Sequence, residues 1–161
     1  MQQADVLASL LLKKHITVTT AESATAGMIA SLLADTPGMS ECMKEAFVAY
    51  SEETKKKRLG VKQETLDKYT VYSHEVAAEM AEGARRASGA DLALSVTGIA
   101  GPGGGTKSQP VGLTYIGAAF KDTVVTRKYI FSGDRATIRR KAARMALMLG
   151  ITMIINEKEK S

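Results

Sequence analysis

Between Ile16 and Ala34 the chain changes its hydrophobic period with no linker in between, and that change restricts the fold more than any other feature. Ile16 to Ala21 alternates β-branched residues as a strand does. A polar break of Glu22, Ser23 and Ala24 follows at once, and AGMIASLLA over residues 26–34 is helix-forming, with Thr25 or Ser23 placed to cap its first turn. The order is strand, tight turn, helix.

The rest of the chain keeps alternating. Val6, Leu7, Leu10 and Leu11 share helical spacing within residues 3–14. After the turn Thr36-Pro37-Gly38, residues 45–51 read as a second strand, and a polar helix from Glu52 stops at Gly60. A short helix is expected at 63–69, then one capped by Ser73 that runs through Ser88 and stops at Gly89. Asp91 to Thr97 is an apolar strand that enters the loop GIAGPGGGTKSQP. Val111–Phe120 and Thr123–Phe131 read as an antiparallel pair joined at Lys121 and Asp122. The last helix, from Asp134 to about Asn156, sets Ile138, Ala142, Met145, Leu149 and Met153 on one face. Helices and strands in this order predict a three-layer α/β/α sandwich with a mixed β-sheet, one domain over residues 1–161. The tail EKEKS is expected to fray.

Composition removes several function classes. Cys42 is the only cysteine, so neither an intramolecular disulfide nor a thiolate metal cluster is available, and a reducing compartment fits. The N-terminal run MQQADVLASLLLKKHI places its lysines after the apolar stretch, unlike a secretory signal. Every uncharged stretch falls short of the roughly 18 to 20 apolar residues that cross a bilayer, so a cytoplasmic protein without a membrane partner is expected. A net charge of +5 attracts nucleic acid and anionic metabolites alike. The runs Lys55, Lys56, Lys57, Arg58 and Arg139, Arg140, Lys141 read as solvated helix faces. With no tryptophan and three phenylalanines, no stacking platform for single-stranded nucleic acid is evident, and direct nucleic-acid binding ranks lowest.

Four segments could carry chemistry. Ser23 sits where a strand ends and a helix begins, beside amides able to hold an oxyanion, although on position alone a helix cap is the favoured reading. The loop after Thr97 has glycines at 98, 101, 103, 104 and 105, which allow a close approach of backbone to phosphate; it lacks the GK[ST] of a P-loop, and a loop without a ligand explains it equally well. Tyr50 ends a strand with Lys55 one helical turn beyond, and Lys55 is a base only if burial or its cationic neighbours keep it partly neutral. Arg135 opens the last helix, where it could grip an anion. His15 and His74 lie far apart with no HExxH or CxxC pattern, so no metal is called for.

These segments, with AYSEETKKKRLGV, VTGIAGPGGG and PVGLTYIG, resemble the CinA C-terminal domain family across nearly the whole chain. Members of that family include amidohydrolases that convert nicotinamide mononucleotide to nicotinate mononucleotide and ammonia in pyridine nucleotide salvage. The resemblance implies Ser23 as nucleophile, Lys55 as its base, Tyr50 as a neighbour that orients them and Arg135 as a phosphate or charge-stabilising group. It also implies Ala24 and Thr25 amides at an oxyanion hole, with Thr97, Gly98, Gly101, Gly103 and Gly104 lining a nucleotide site, and no cofactor. A homodimer is the default assembly. The family turn reads ESCTGG and this chain has ESATAG, with Ala24 for cysteine and Ala26 for the first glycine. A catalytically impaired paralogue that binds nucleotide or regulates is therefore the competing expectation.

Overall fold

A computed structural model describes residues 2–157, so the fraying expected of EKEKS falls, beyond Glu157, outside the described residues. The helices are α1 (Gln3–Lys14), α2 (Met28–Ala34), α3 (Glu52–Leu59), α4 (Gln63–Tyr69), α5 (His74–Ser88) and α6 (Arg135–Asn156), with one 3-10 turn at Met39–Glu41. The strands are β1 (Val18–Glu22), β2 (Phe47–Val48), β3 (Leu92–Gly98), β4 (Leu113–Phe120) and β5 (Thr123–Ile130), in sheet order β2-β1-β3-β4-β5. β1 runs parallel to both β2 and β3, while β4 and β5 pair antiparallel. The mixed sheet of the sequence reading is present.

Each face of the sheet buries its own core. Leu7, Leu11, Ile29, Leu33, Ala143 and Leu147 of α1, α2 and α6 pack with Leu92, Leu94 and Val96 of β3. Leu59, Val76, Met80 and Ala84 of α3 and α5 pack on the other side with Ala21 and Ala93. Two helical layers around a sheet complete the three-layer sandwich. The middle strands are therefore covered twice, which is why all five residues of β1 are buried and alternation alone misplaces its start by two residues. Among the described residues no helix is long and apolar enough to cross a membrane.

Two expectations need correction. The strand expected at 45–51 pairs regularly only at Phe47 and Val48. Its flanks reach β1 through irregular bonds, Thr19 Oγ1 to Glu45 O at 2.9 Å and Ala49 N to Glu22 O at 2.8 Å, so no continuous ladder forms. Neither Ser23 nor Thr25 caps α2. Gly27 holds the cap position at φ +90°, and the Glu22 carboxylate accepts from the amides of Gly27, Ile29 and Ala30 at 3.0–3.1 Å. An anion suits the positive end of a helix better than a neutral hydroxyl.

One glycine fixes where α3 lies. Gly83 in α5 faces the backbone of Leu59, and a Cβ there would occupy the space of the Leu59 carbonyl. Its absence lets the end of α3 rest directly on α5, which sets Lys55 at its depth.

Candidate active site

The three parallel strands end on one edge of the sheet: β1 at Glu22-Ser23, β2 just before Ala49-Tyr50, and β3 at Gly98. Open α/β sheets bind ligands at such an edge. Ser23, Ala24, Tyr50, Tyr72, Gly98, Ile99, Ala100, Gly101, Gly103, Gly104 and Arg135 line a cleft of about 180 Å³ there.

Lys55 departs furthest from expectation. Only 1% of it is exposed, whereas Lys56, Lys57 and Arg58 are solvated, so the basic run does not share one face. Lys55 and Leu59, four residues apart, form the buried side of α3. The Lys55 ammonium nitrogen lies 3.1 Å from Ser23 Oγ, 2.9 Å from Ala49 O and 3.2 Å from Tyr50 O. These three partners suit both protonation states. An ammonium donates to all three; a neutral amine donates to the two carbonyls and turns its lone pair to the Ser23 hydroxyl. Burial lowers the Lys55 pKa to about 8, against a smaller opposing pull from Glu52. Desolvation, and not the neighbouring cations invoked from the sequence, is the cause.

At pH 7 a pKa of about 8 leaves roughly one lysine in ten neutral, against about three in ten thousand at the ordinary 10.5. That gain in neutral amine is several hundredfold, and the amine is already hydrogen-bonded to the Ser23 hydroxyl.

Arg135 bridges the mouth of the cleft, donating to Gly101 O at 2.7 Å and to the Tyr50 hydroxyl at 3.0 Å. Two of its five N–H groups are so engaged, and three remain for an anion. Gly98, Gly101, Gly103 and Gly104 all line the cleft. Gly101 needs to be glycine, since its φ is +78° and a Cβ would sit 2.5 Å from Val111 Cγ1. Thr97 does not reach the cleft. It is fully buried, and its hydroxyl donates to Val71 O at 3.0 Å, tying the approach to α5 onto β3. Thr25 is likewise buried, and its Oγ1 has no hydrogen-bond partner among the described residues.

Sequence reasoning missed three residues here. Tyr72 lines the cleft beside Tyr50, a placement no local pattern encodes. Glu22 was read as part of a polar break, although it ends β1 and is the one acid from there to the start of α2, and a carboxylate there can reach the positive end of the helix. Arg139 was assigned to a solvated face, yet it donates through Nε to Ala24 O at 2.8 Å and through a terminal nitrogen to Thr25 O at 3.0 Å. Ala26 adopts φ +48°, the left-handed region that favours glycine, and it is exposed and outside the cleft lining. Its methyl therefore strains the turn and does not narrow the cleft. Among the described residues, no group of three or more His, Cys, Asp or Glu side chains is arranged to hold a metal ion.

A family model described as the CinA C-terminal domain matches residues 1–154. A protein of Clostridium acetobutylicum described as competence-damage inducible is 49% identical over 137 residues, covering 85% of this chain and 33% of its own length. A CinA-like protein of Kosmotoga olearia is 46% identical over 143 residues, covering 89% of this chain and 35% of its own. The chain thus spans about a third of the length of these relatives. Solved structures match almost end to end. A competence/damage inducible protein from Agrobacterium tumefaciens superposes with TM-score 0.88 at 35% identity, covering 94% of this chain and 96% of that one. A CinA superfamily protein from Klebsiella pneumoniae gives TM-score 0.91 at 28% identity, covering 97% and 99%.

Proposed function

The chain belongs to the CinA C-terminal domain family, and from that premise we propose that it is an amidohydrolase acting on nicotinamide mononucleotide through Ser23 and Lys55. The observation that carries the reading is the buried Lys55 amine, 3.1 Å from the hydroxyl of a serine on the cleft wall.

The chemistry follows from those positions. Neutral Lys55 takes the Ser23 proton as Oγ bonds to the carboxamide carbon, and the carbonyl π electrons move onto oxygen. The Ala24 amide, which lies on the cleft wall and has no acceptor among the described residues, stabilises that oxyanion, whereas Thr25, expected to share this role, is fully buried outside the cleft lining. As the tetrahedral species collapses, the C–N bond breaks and the Lys55 ammonium returns its proton to the nitrogen, releasing ammonia. Water then attacks the ester, Lys55 takes its proton and passes one to Ser23 Oγ, and nicotinate mononucleotide leaves. Arg135 and the glycine loop hold the phosphate, and Tyr50 supplies a carbonyl to Lys55 and a hydroxyl to Arg135.

The strained Ala26 favours a second reading, a nucleotide-binding or regulatory module with impaired turnover, because a distorted turn would misplace the nucleophile. One experiment separates the two. Purified protein without added metal is assayed for ammonia and nicotinate mononucleotide, beside Ser23→Ala and Lys55→Ala. Turnover by the parent, lost in both variants while nucleotide binding persists, is the expected result. Saturable binding by a parent that releases no ammonia would establish the module instead.

A further inference from the structure

Ser23 to Ala26 form a tight turn closed by Ala26 N donating to Ser23 O at 3.0 Å. Its neighbours restrain it from both ends. Glu22, fully buried, takes the amides of Gly27, Ile29 and Ala30, so these first amides of α2 are spent within the protein and cannot serve a reacting oxyanion. Arg139 holds the carbonyls of Ala24 and Thr25, and Thr25 O also accepts from Met28 N at 3.1 Å.

Ala24 lines the cleft beside Ser23, and its N–H has no acceptor among the described residues, so it is the amide of the turn that faces a reacting group. We propose that Arg139 is a positioning residue for the nucleophile turn, fixing it through the Ala24 and Thr25 carbonyls so that the Ala24 N–H is held in place for the oxyanion formed at Ser23. It touches neither Ser23 nor Lys55 through any hydrogen bond and acts only through the turn. The inference rests on Ser23 being the nucleophile of the proposed amidohydrolase, but not on the identity of the amide.

The test therefore uses an electrophile that needs no amide recognition. A small fluorophosphonate labels a nucleophilic serine: the Ser23 Oγ–P bond forms, the P–F bond breaks, fluoride leaves and the serine proton passes to Lys55. Mass spectrometry locates the label, and its kinetics separate the maximal rate from the probe's half-saturating concentration. Arg139→Met is expected to lower the maximal rate about tenfold to a hundredfold, less than or near the loss of a direct oxyanion donor, with half-saturation unchanged. The pH midpoint of labelling should stay at its parental value, because Lys55 is untouched. If Arg139→Met does not fold, Arg139→Lys decides, since it keeps the charge and loses the two-pronged grip; a several-fold loss is expected. A parental rate in either folded variant, a loss confined to half-saturation, or no label on Ser23 in the parent would overturn the proposal. Arg139-dependent labelling by a protein that fails to deamidate nicotinamide mononucleotide would leave it standing and remove only that substrate.

Discussion

The Ser23 turn and the glycine loop face each other across one cleft, and they are held in opposite ways. Ser23 is 7% exposed, and its turn is restrained by three amides on Glu22, two carbonyls on Arg139 and the Lys55 amine. Residues 102–108 of the loop are all exposed, and a Cβ at Gly103 would meet nothing within 4 Å. The loop is anchored mainly through Gly101 to Arg135 and through Gln109 to Thr70. A transition state rewards groups fixed before the reaction, whereas a substrate's outer portion needs only to be received. On the proposed reading the rigid side carries the chemistry and the open side the recognition.

If that contrast is right, the largest effect comes from breaking the rigid side. Glu22→Ala strips three charge-assisted hydrogen bonds from buried amides and should cost about 3 kcal/mol or more in denaturant unfolding, with deamidation lost alongside. A near-neutral Glu22→Ala would mean that the turn does not depend on its clamp.

Within the loop the contrast sharpens. Gly101→Ala forces a Cβ against Val111 at a left-handed φ and should destabilise by about 2 kcal/mol, while Gly103→Ala should stay within about 0.5 kcal/mol. Equal costs at the two positions would show that the loop is uniformly packed. One substitution is expected to bring a modest gain. Ala26→Gly relieves the left-handed strain at φ +48° and should raise stability by about 0.5–1 kcal/mol in thermal unfolding, with deamidation retained. A rise in turnover of more than tenfold would instead mark Ala26 as the lesion of an impaired enzyme.

The sequence made the architecture legible because its punctuation is local. Gly60, Gly89, Ser73 and Asp134 end or begin helices where they were expected to, and the Ser73 and Asp134 side chains accept from Val76 N and Thr137 N. Asp134, a capping acid whose pKa is lowered by its bonds to Thr137, shows how complete such a local signal is. The site was legible only in part. Ser23, Lys55, Tyr50 and Arg135 were singled out and do lie together at the cleft. What separates Lys55 from its three basic neighbours is its i,i+4 relation to Leu59, a weak cue inside a polar helix. Arg139 and Tyr72 reach the site from chain positions far from Ser23, and no spacing rule could announce either.

The central claim is that a buried, partly neutral lysine activates Ser23, and its most direct test is the pH dependence of kcat/KM for ammonia release from nicotinamide mononucleotide. Because the reactive form is the deprotonated amine, activity should be low near pH 6, rise with a midpoint close to the Lys55 value of about 8, and level off above it. The same depressed pKa makes the unfolded chain bind more protons between pH 8 and 10.5, so the stability contribution from Lys55 should rise across that window. A kcat/KM that is flat from pH 6 to 9.5, or that falls as the amine loses its proton, would contradict the account.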